Sequence, residues 1–149
     1  MPGQPELLHV FDVTATVGAP IEVSPSRRLI PITGGEVRGP KIHGKILNGG
    51  TDFQFIRPDG VAELQARYVI QTNSGDLIYV ENNAIRHGAP EAMAKLKRGE
   101  PVDPSEIYFR GAVHMETAAA DLQWLTKHVF LATGRRFPLH VEISVFQVV

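Results

Sequence analysis

The sequence predicts an all-β, mainly antiparallel fold: a single closed or nearly closed β-barrel with one short peripheral α-helix. Three observations carry this expectation. Side-chain character alternates with a period of two along most of the chain. Short turns rich in Gly, Asn, Asp and Pro separate runs of similar length. The final run, Leu139 to Val148, is apolar to its end. An open edge of that kind invites aggregation, so it is expected to be paired, by barrel closure or by a second subunit in a homodimer or higher homo-oligomer.

The elements follow in order. Leu7 to Val17 reads as a strand, with Leu8, Val10, Asp12 and Thr14 on one face and His9, Phe11, Val13 and Ala15 on the other. Pro20, Pro25 and Pro31 interrupt the next stretch, leaving a short strand at Leu29 to Ile32 before Gly34-Gly35. Lys41 to Leu47 and Asp52 to Arg57 are strands separated by Asn48-Gly49-Gly50. Pro58-Asp59-Gly60 is a turn: Pro presets φ, Asp caps locally and Gly accepts positive φ. Val61 to Thr72 alternates most clearly, with Ala62, Leu64, Ala66, Tyr68 and Ile70 sharing a face. Asn73-Ser74-Gly75-Asp76 turns it into a hairpin with Leu77 to Asn83. Pro90 to Arg98 is the helix: Pro suits its first turn, Ala92, Met93 and Leu96 form an apolar stripe, basic residues crowd its C-terminal end, and Gly99 stops it. Glu106 to Glu116 is a strand. Ala118 to Leu125 is a loop or a short helical turn. Lys127 to Thr133 and Leu139 to Val148 are the last strands, divided at Gly134-Arg135-Arg136.

The 149 residues are enough for one substantial core, and one domain spanning 1–149 is expected. A hydrophobic share of 43% with 21% charged residues places the chain among ordinary globular proteins rather than disordered ones. The net charge of −1 shows no basic excess, so neither nucleic acid nor an anionic membrane surface is expected as a partner. Arg27-Arg28 and Arg135-Arg136 read as solvated turns. The absence of cysteine excludes disulfides, thiolate metal sites and a cysteine nucleophile. No secretory signal or bilayer-spanning run is visible, and a cytoplasmic location is the default.

A small-molecule ligand or substrate inside the barrel is the expected partner. For acid–base work the candidates are Asp52, Tyr79, Glu81, Arg110, His114 and Glu116. Asp52 follows Asn48-Gly49-Gly50-Thr51 at a strand entrance, where a carboxylate is either a general base or a plain turn cap. Asp52 or Glu116 would move a proton, while Arg110 and Tyr79 would stabilise negative charge developing on oxygen. These roles require the face Tyr108, Arg110, Ala112, His114 and Glu116 to line the lumen; the alternative turns Ile107, Phe109, Gly111, Val113 and Met115 inward. Trp124 either seals a barrel end or stacks on a ligand ring. His114-Met115-Glu116 and His140-Val141-Glu142 each put an imidazole and a carboxylate on one strand face. That spacing is common on wet faces, so no metal and no organic cofactor is assigned. A P-loop ending and a Gly-x-Ser-x-Gly elbow are both missing.

Taken in order, Gly34-Gly35, Gly39-Pro40, Gly49-Gly50-Thr51-Asp52-Phe53, Arg57-Pro58-Asp59-Gly60, Ala66-Arg67-Tyr68, Thr72, Ile78-Tyr79, Tyr108-Phe109-Arg110 and Trp124-Leu125 resemble a family catalogued as domain of unknown function 3237. The resemblance covers nearly the whole chain. It implies a compact β-barrel and, from the occurrence of some members with aromatic-compound pathways, ring-forming or isomerising chemistry. It also implies that Asp52, Arg67, Tyr79, Arg110, Glu116 and Trp124 border the pocket. With them, Arg67, Tyr68, His114 and Trp124 are expected to contact substrate. The family commonly carries Asn after the Trp-Leu pair; Thr126 stands here, so no role is assigned to that amide. Three functions are compatible with these residues: a cofactor-independent isomerase, cyclase or lyase on a small oxygenated cyclic or aromatic molecule, a carrier of an apolar molecule, and a metal-dependent, cupin-like barrel built on the two His-x-Glu pairs.

Overall fold

A computed structural model describes all residues, 1–149. The strands are β1 (Leu7–Val17), β2 (Ile21–Ser24), β3 (Arg27–Arg38), β4 (His43–Ile46), β5 (Gly50–Ile56), β6 (Ala62–Thr72), β7 (Leu77–Gly88), β8 (Ile107–Thr117), β9 (Phe130–Arg136) and β10 (His140–Val148). All pair antiparallel, and β1 bonds to β10 on one side and to β3 on the other, which closes the sheet. Ten strands occupy eight positions around the barrel because two positions are shared. β2 continues β1 alongside β3, and β4 and β5 lie end to end between β3 and β6. The terminal strand is therefore paired on both edges, as its apolar character requires.

The turns form as their residues dictate. At Pro58-Asp59-Gly60 the Val61 N–H donates to Asp59 Oδ1 at 3.1 Å, and Gly60 adopts a φ of 88°. Helix α1 (Pro90–Lys97) has Pro in its first turn, Glu91 at its N-terminal end and Lys95 and Lys97 at its C-terminal end. Ala120–Thr126 is a 3-10 helix.

Three strands run further than their sequences suggest. β3 passes through Pro31, whose carbonyl accepts from the Gly18 N–H at 2.9 Å where β1 leaves β3. A proline is tolerated there because the ladder is locally interrupted. β7 continues past Asn83 to Gly88 because β6 and β8 supply partners along its length. β9 runs through Gly134 to Arg136, and the turn falls at Phe137, whose N–H donates to the His140 carbonyl. Gly134 belongs in the strand because the Phe109 ring lies where its Cβ would be, 2.7 Å away.

The lumen has two unlike halves. Near one end, Phe11, Ile42, Ile70, Ile78, Met115, Leu122, Leu125 and Phe130 pack into a dry core. Burying each of these side chains contributes about 1.5–3 kcal/mol. A register shift between His9 and Phe11 lets both Val10 and Phe11 turn inward. Leu122 and Leu125 close this end, with Trp124 half-buried beside them at 5.9 Å from the Phe130 ring. The other half, toward α1, sets a few buried polar groups among apolar walls.

Candidate functional site

Strand parity places the polar half. On β5, Asp52, Gln54 and Ile56 alternate inward while Phe53 and Phe55 face out. On β7 the inward row is Ile78, Val80, Asn82, Ala84 and Arg86. Arg28 of β3 and Arg136 of β9 complete the ring of polar groups. Gln54 is 2% exposed, Asn82 5% and Arg86 3%. They border an inner cavity of about 50 Å³ whose walls are otherwise apolar, among them Val13, Ile30, Leu64, Phe109 and Ile143. Outside it, a cleft of about 200 Å³ lies between the β2–β3 hairpin and α1, with Met93 and Leu96 on its helix side. Arg86 lines both spaces.

A short relay holds the acid in place. Arg28 Nε donates to Gln54 Oε1 at 2.8 Å, and Gln54 Nε2 donates to Asp52 Oδ2 at 2.8 Å. Arginine can only donate, so it fixes which end of the Gln54 amide faces Asp52. Asp52 Oδ2 is thereby occupied, while Oδ1 is buried and has no partner. Asn82 Oδ1 and Arg86 Nε are buried and unpartnered as well. The three orphaned polar atoms cluster around one cavity, and each costs about 1–3 kcal/mol until a water or a ligand partners it.

The electrostatics are equally uneven. Burial raises the Asp52 carboxyl above its ordinary range, against the smaller opposing effects of the Gln54 hydrogen bond and of Arg86, Arg28 and Arg136. Burial also drives the Arg86 guanidinium down to about 10. Arg136 is lowered in the same way, and its Nη1 donates to the Phe137 carbonyl at 2.7 Å. The lumen holds one carboxylate and no histidine, which is a poor donor set for a metal ion. Nowhere else do three His, Asp or Glu side chains converge. His140 and Glu142 lie on β10 near the α1 end, whereas His114 and Glu116 lie on β8 toward the opposite end.

Among the residues expected from sequence, Asp52 and Tyr68 line the inner cavity. The polar face of β8 does not: Phe109, Val113 and Met115 are buried, and Tyr108, Arg110, His114 and Glu116 project outward. The His114 and Glu116 side chains are each 65% exposed. They neighbour Tyr79 and Glu81 on β7, where the Tyr79 hydroxyl donates to Glu81 Oε1 at 2.8 Å. Arg67 lies outside too, 3.9 Å from Glu81 and over the Phe53 ring. Trp124 belongs to the sealed end, with Lys41 over its ring at 5.2 Å. Glu116, Tyr79, Arg110, Arg67, His114 and Trp124 therefore stand apart from Asp52. The physical reason is space: Gly111 and Gly134 leave room for Asn82 and Phe109 on the inner wall, so β8 turns its Phe109 face inward.

Sequence reasoning missed Gln54, Asn82, Arg86, Arg28 and Arg136. The signal existed in part. Asn82 and Arg86 fall in the same parity as Ile78, Val80 and Ala84, and polar residues interrupting an apolar row point to a candidate binding lumen. Ending the strand at Asn83 hid Arg86. Reading the arginine pairs as solvated turns hid Arg28 and Arg136, which lie on strands with one arginine of each pair turned inward.

Comparison with known proteins agrees with this architecture. The family model described as protein of unknown function (DUF3237) matches residues 5–148. A UPF0311 protein of Rhodopseudomonas palustris is 46% identical over 147 residues, covering 96% of each chain. The crystal structure of a conserved protein of unknown function from the same organism superposes with a TM-score of 0.96 at 45% identity, with both chains covered completely. An enzyme from Penicillium herquei shares the fold, with a TM-score of 0.73 at 22% identity over 100% of this chain and 98% of its own.

Proposed function

The chain belongs to the DUF3237 family, and we propose that its polar half-lumen binds a small oxygenated cyclic or aromatic molecule and performs acid–base chemistry on it. The reaction class is isomerisation, cyclisation or elimination, run without an added cofactor. One observation carries the reading: Asp52 Oδ1 is buried, unpartnered and aimed into a cavity, while Oδ2 is pinned by Gln54. A carboxylate held this way presents one basic oxygen in a fixed position, and burial makes that oxygen a stronger base than in water. Substrate enters from the outer cleft with its reactive end in the lumen. Asp52 takes a proton next to a carbonyl or from a hydroxyl and returns it at a second atom. Arg86, with its free Nε, stabilises the oxygen on which charge develops in between. These are the roles that the sequence alone assigns to Glu116, Tyr79 and Arg110.

The test is proton exchange in deuterated water with a panel of small cyclic enols, ketones and phenols, followed by proton NMR. The wild-type protein is expected to convert or deuterate at least one of them, and Asp52→Asn to do neither. The mostly apolar cavity wall favours a second reading, a carrier whose polar groups only orient the ligand. Saturable binding with every ligand recovered undeuterated and unchanged would establish the carrier and remove the enzyme.

A further inference from the structure

Resting on the same lumen, a narrower conclusion about the ligand follows from charge. Three guanidiniums, those of Arg28, Arg86 and Arg136, surround a space that holds one carboxylate. Their other partners are weak. Arg28 Nε donates to the neutral Gln54 amide, and its one acidic neighbour, Glu22, stands 3.9 Å away on the wet rim. Arg136 Nη1 donates to two neutral carbonyls, at Phe137 and His140. Arg86 is the most exposed energetically: it is buried, its Nε has no acceptor, and its guanidinium sits over the Phe109 ring at 5.7 Å. Burying a charge without a partner is strongly unfavourable. An arginine is kept in that state where an incoming group supplies the missing acceptor.

We propose that the lumen selects a small organic carboxylate, which sets its oxygens against Arg86 and Arg136 and places a neutral proton-bearing group at Asp52 Oδ1. The fork of an arginine matches the two oxygens of a carboxylate. The apolar walls, the neutral Asn82 and the small inner volume suit a singly charged ligand with a compact head. The apolar remainder of the ligand lies in the cleft beside Met93 and Leu96. Asp52 offsets only part of the burial cost of the Arg86 cation, so its pKa stays depressed and a second carboxylate has a cation to meet.

The experiment is an NMR titration of the whole protein at fixed ionic strength, observing arginine Nε–Hε and Asn/Gln side-chain signals. The probes are acetate, glycolate and benzoate, each against its isosteric amide, with inorganic phosphate alongside. At least one carboxylate is expected to shift Arg86 Nε–Hε saturably and to bind about tenfold or more tightly than its amide, the margin of a charge-assisted hydrogen-bond pair. Arg86→Gln and, separately, Arg136→Gln are expected to erase that preference. Equal or tighter binding of the amides, binding of phosphate alone, or shifts confined to outer arginines such as Arg67 and Arg110 would overturn the carboxylate assignment. Tight amide binding in the lumen would leave the Asp52 reading standing. Silence of every lumen signal toward all probes would overturn the carboxylate assignment, while the deuterium-exchange test decides the Asp52 reading separately.

Discussion

Replacing Arg86 with Met is expected to make the ligand-free protein more stable while abolishing the proposed carboxylate binding. The structure sets the magnitude. Arg86 is buried, and its pKa is driven from 12.5 to about 10. Keeping that charge in the folded protein costs about 3 kcal/mol at neutral pH, at 1.36 kcal/mol for each tenfold change in proton affinity. The folded state binds this proton less tightly than the unfolded chain, so the cost is complete at any pH below about 10 and lifts only above it. Met keeps most of the stem volume and removes the charge. The variant loses the contact with the Phe109 ring, which offsets about 1–2 kcal/mol. A net gain of about 1–2 kcal/mol remains, and for a chain of this size it raises Tm by roughly 2–6 °C. Thermal unfolding followed by circular dichroism between about pH 6 and 8 measures it, with carboxylate titration of the same samples. A Tm that falls by several degrees would refute the reasoning, because it would show Arg86 to be a structural strut with partners inside the protein. Gain in stability with loss of binding is the mark of a group kept for function.

Four further outcomes follow from the same structure. Gly111→Ala puts a Cβ 2.1 Å from Asn82 Oδ1, so it should expel that amide and cost about 1–3 kcal/mol in urea denaturation, with ligand binding lost. Because the Asp52 pKa is raised, the folded protein holds that proton more tightly than the unfolded chain; the contribution of Asp52 to stability should be full below the ordinary value of 3.8 and be lost as pH rises through the raised one. Asp52→Asn should flatten that decline, and superimposable urea-midpoint profiles for the two proteins would exclude the effect. Trp124→Ala should cost about 2–3 kcal/mol by opening the sealed end, yet leave carboxylate affinity unchanged, since the lumen site lies at the other end. Glu116→Gln and Tyr79→Phe, on the outer wall, should alter neither turnover nor Tm; loss of turnover in either would move the chemistry outside the barrel.

The closed barrel narrows the meaning of the polar residues. On an open sheet, each strand's wet face is merely solvated. Closure makes one face a container, and the few polar groups placed there are desolvated, oriented and short of partners. That is why Asp52 and Glu116, two carboxylates on regular strands, differ so much: one is buried among arginines and the other is bathed in water.

The amino-acid sequence by itself determined most of the strands, their turns and the helix, but not β2, which lies between Pro20 and Pro25. Pro58-Asp59-Gly60 and Asn73-Ser74-Gly75-Asp76 turn the chain through bonds within a few residues, and Pro90 starts α1 for equally local reasons. It also determined that the last strand needs partners on both sides. Tertiary structure alone decided which face of β8 looks inward, how far β7 and β9 run, and that Arg28, Arg86 and Arg136 meet around Asp52. Alternation with period two is unchanged when the two faces are exchanged, so it cannot say which side is the lumen. That choice belongs to contacts between distant strands: the Phe109 ring fits over Gly134, and the Asn82 amide fits over Gly111. Once those fits set the register, the polar face from Tyr108 to Glu116 has no place but the outside, and Asp52 is left with three arginines.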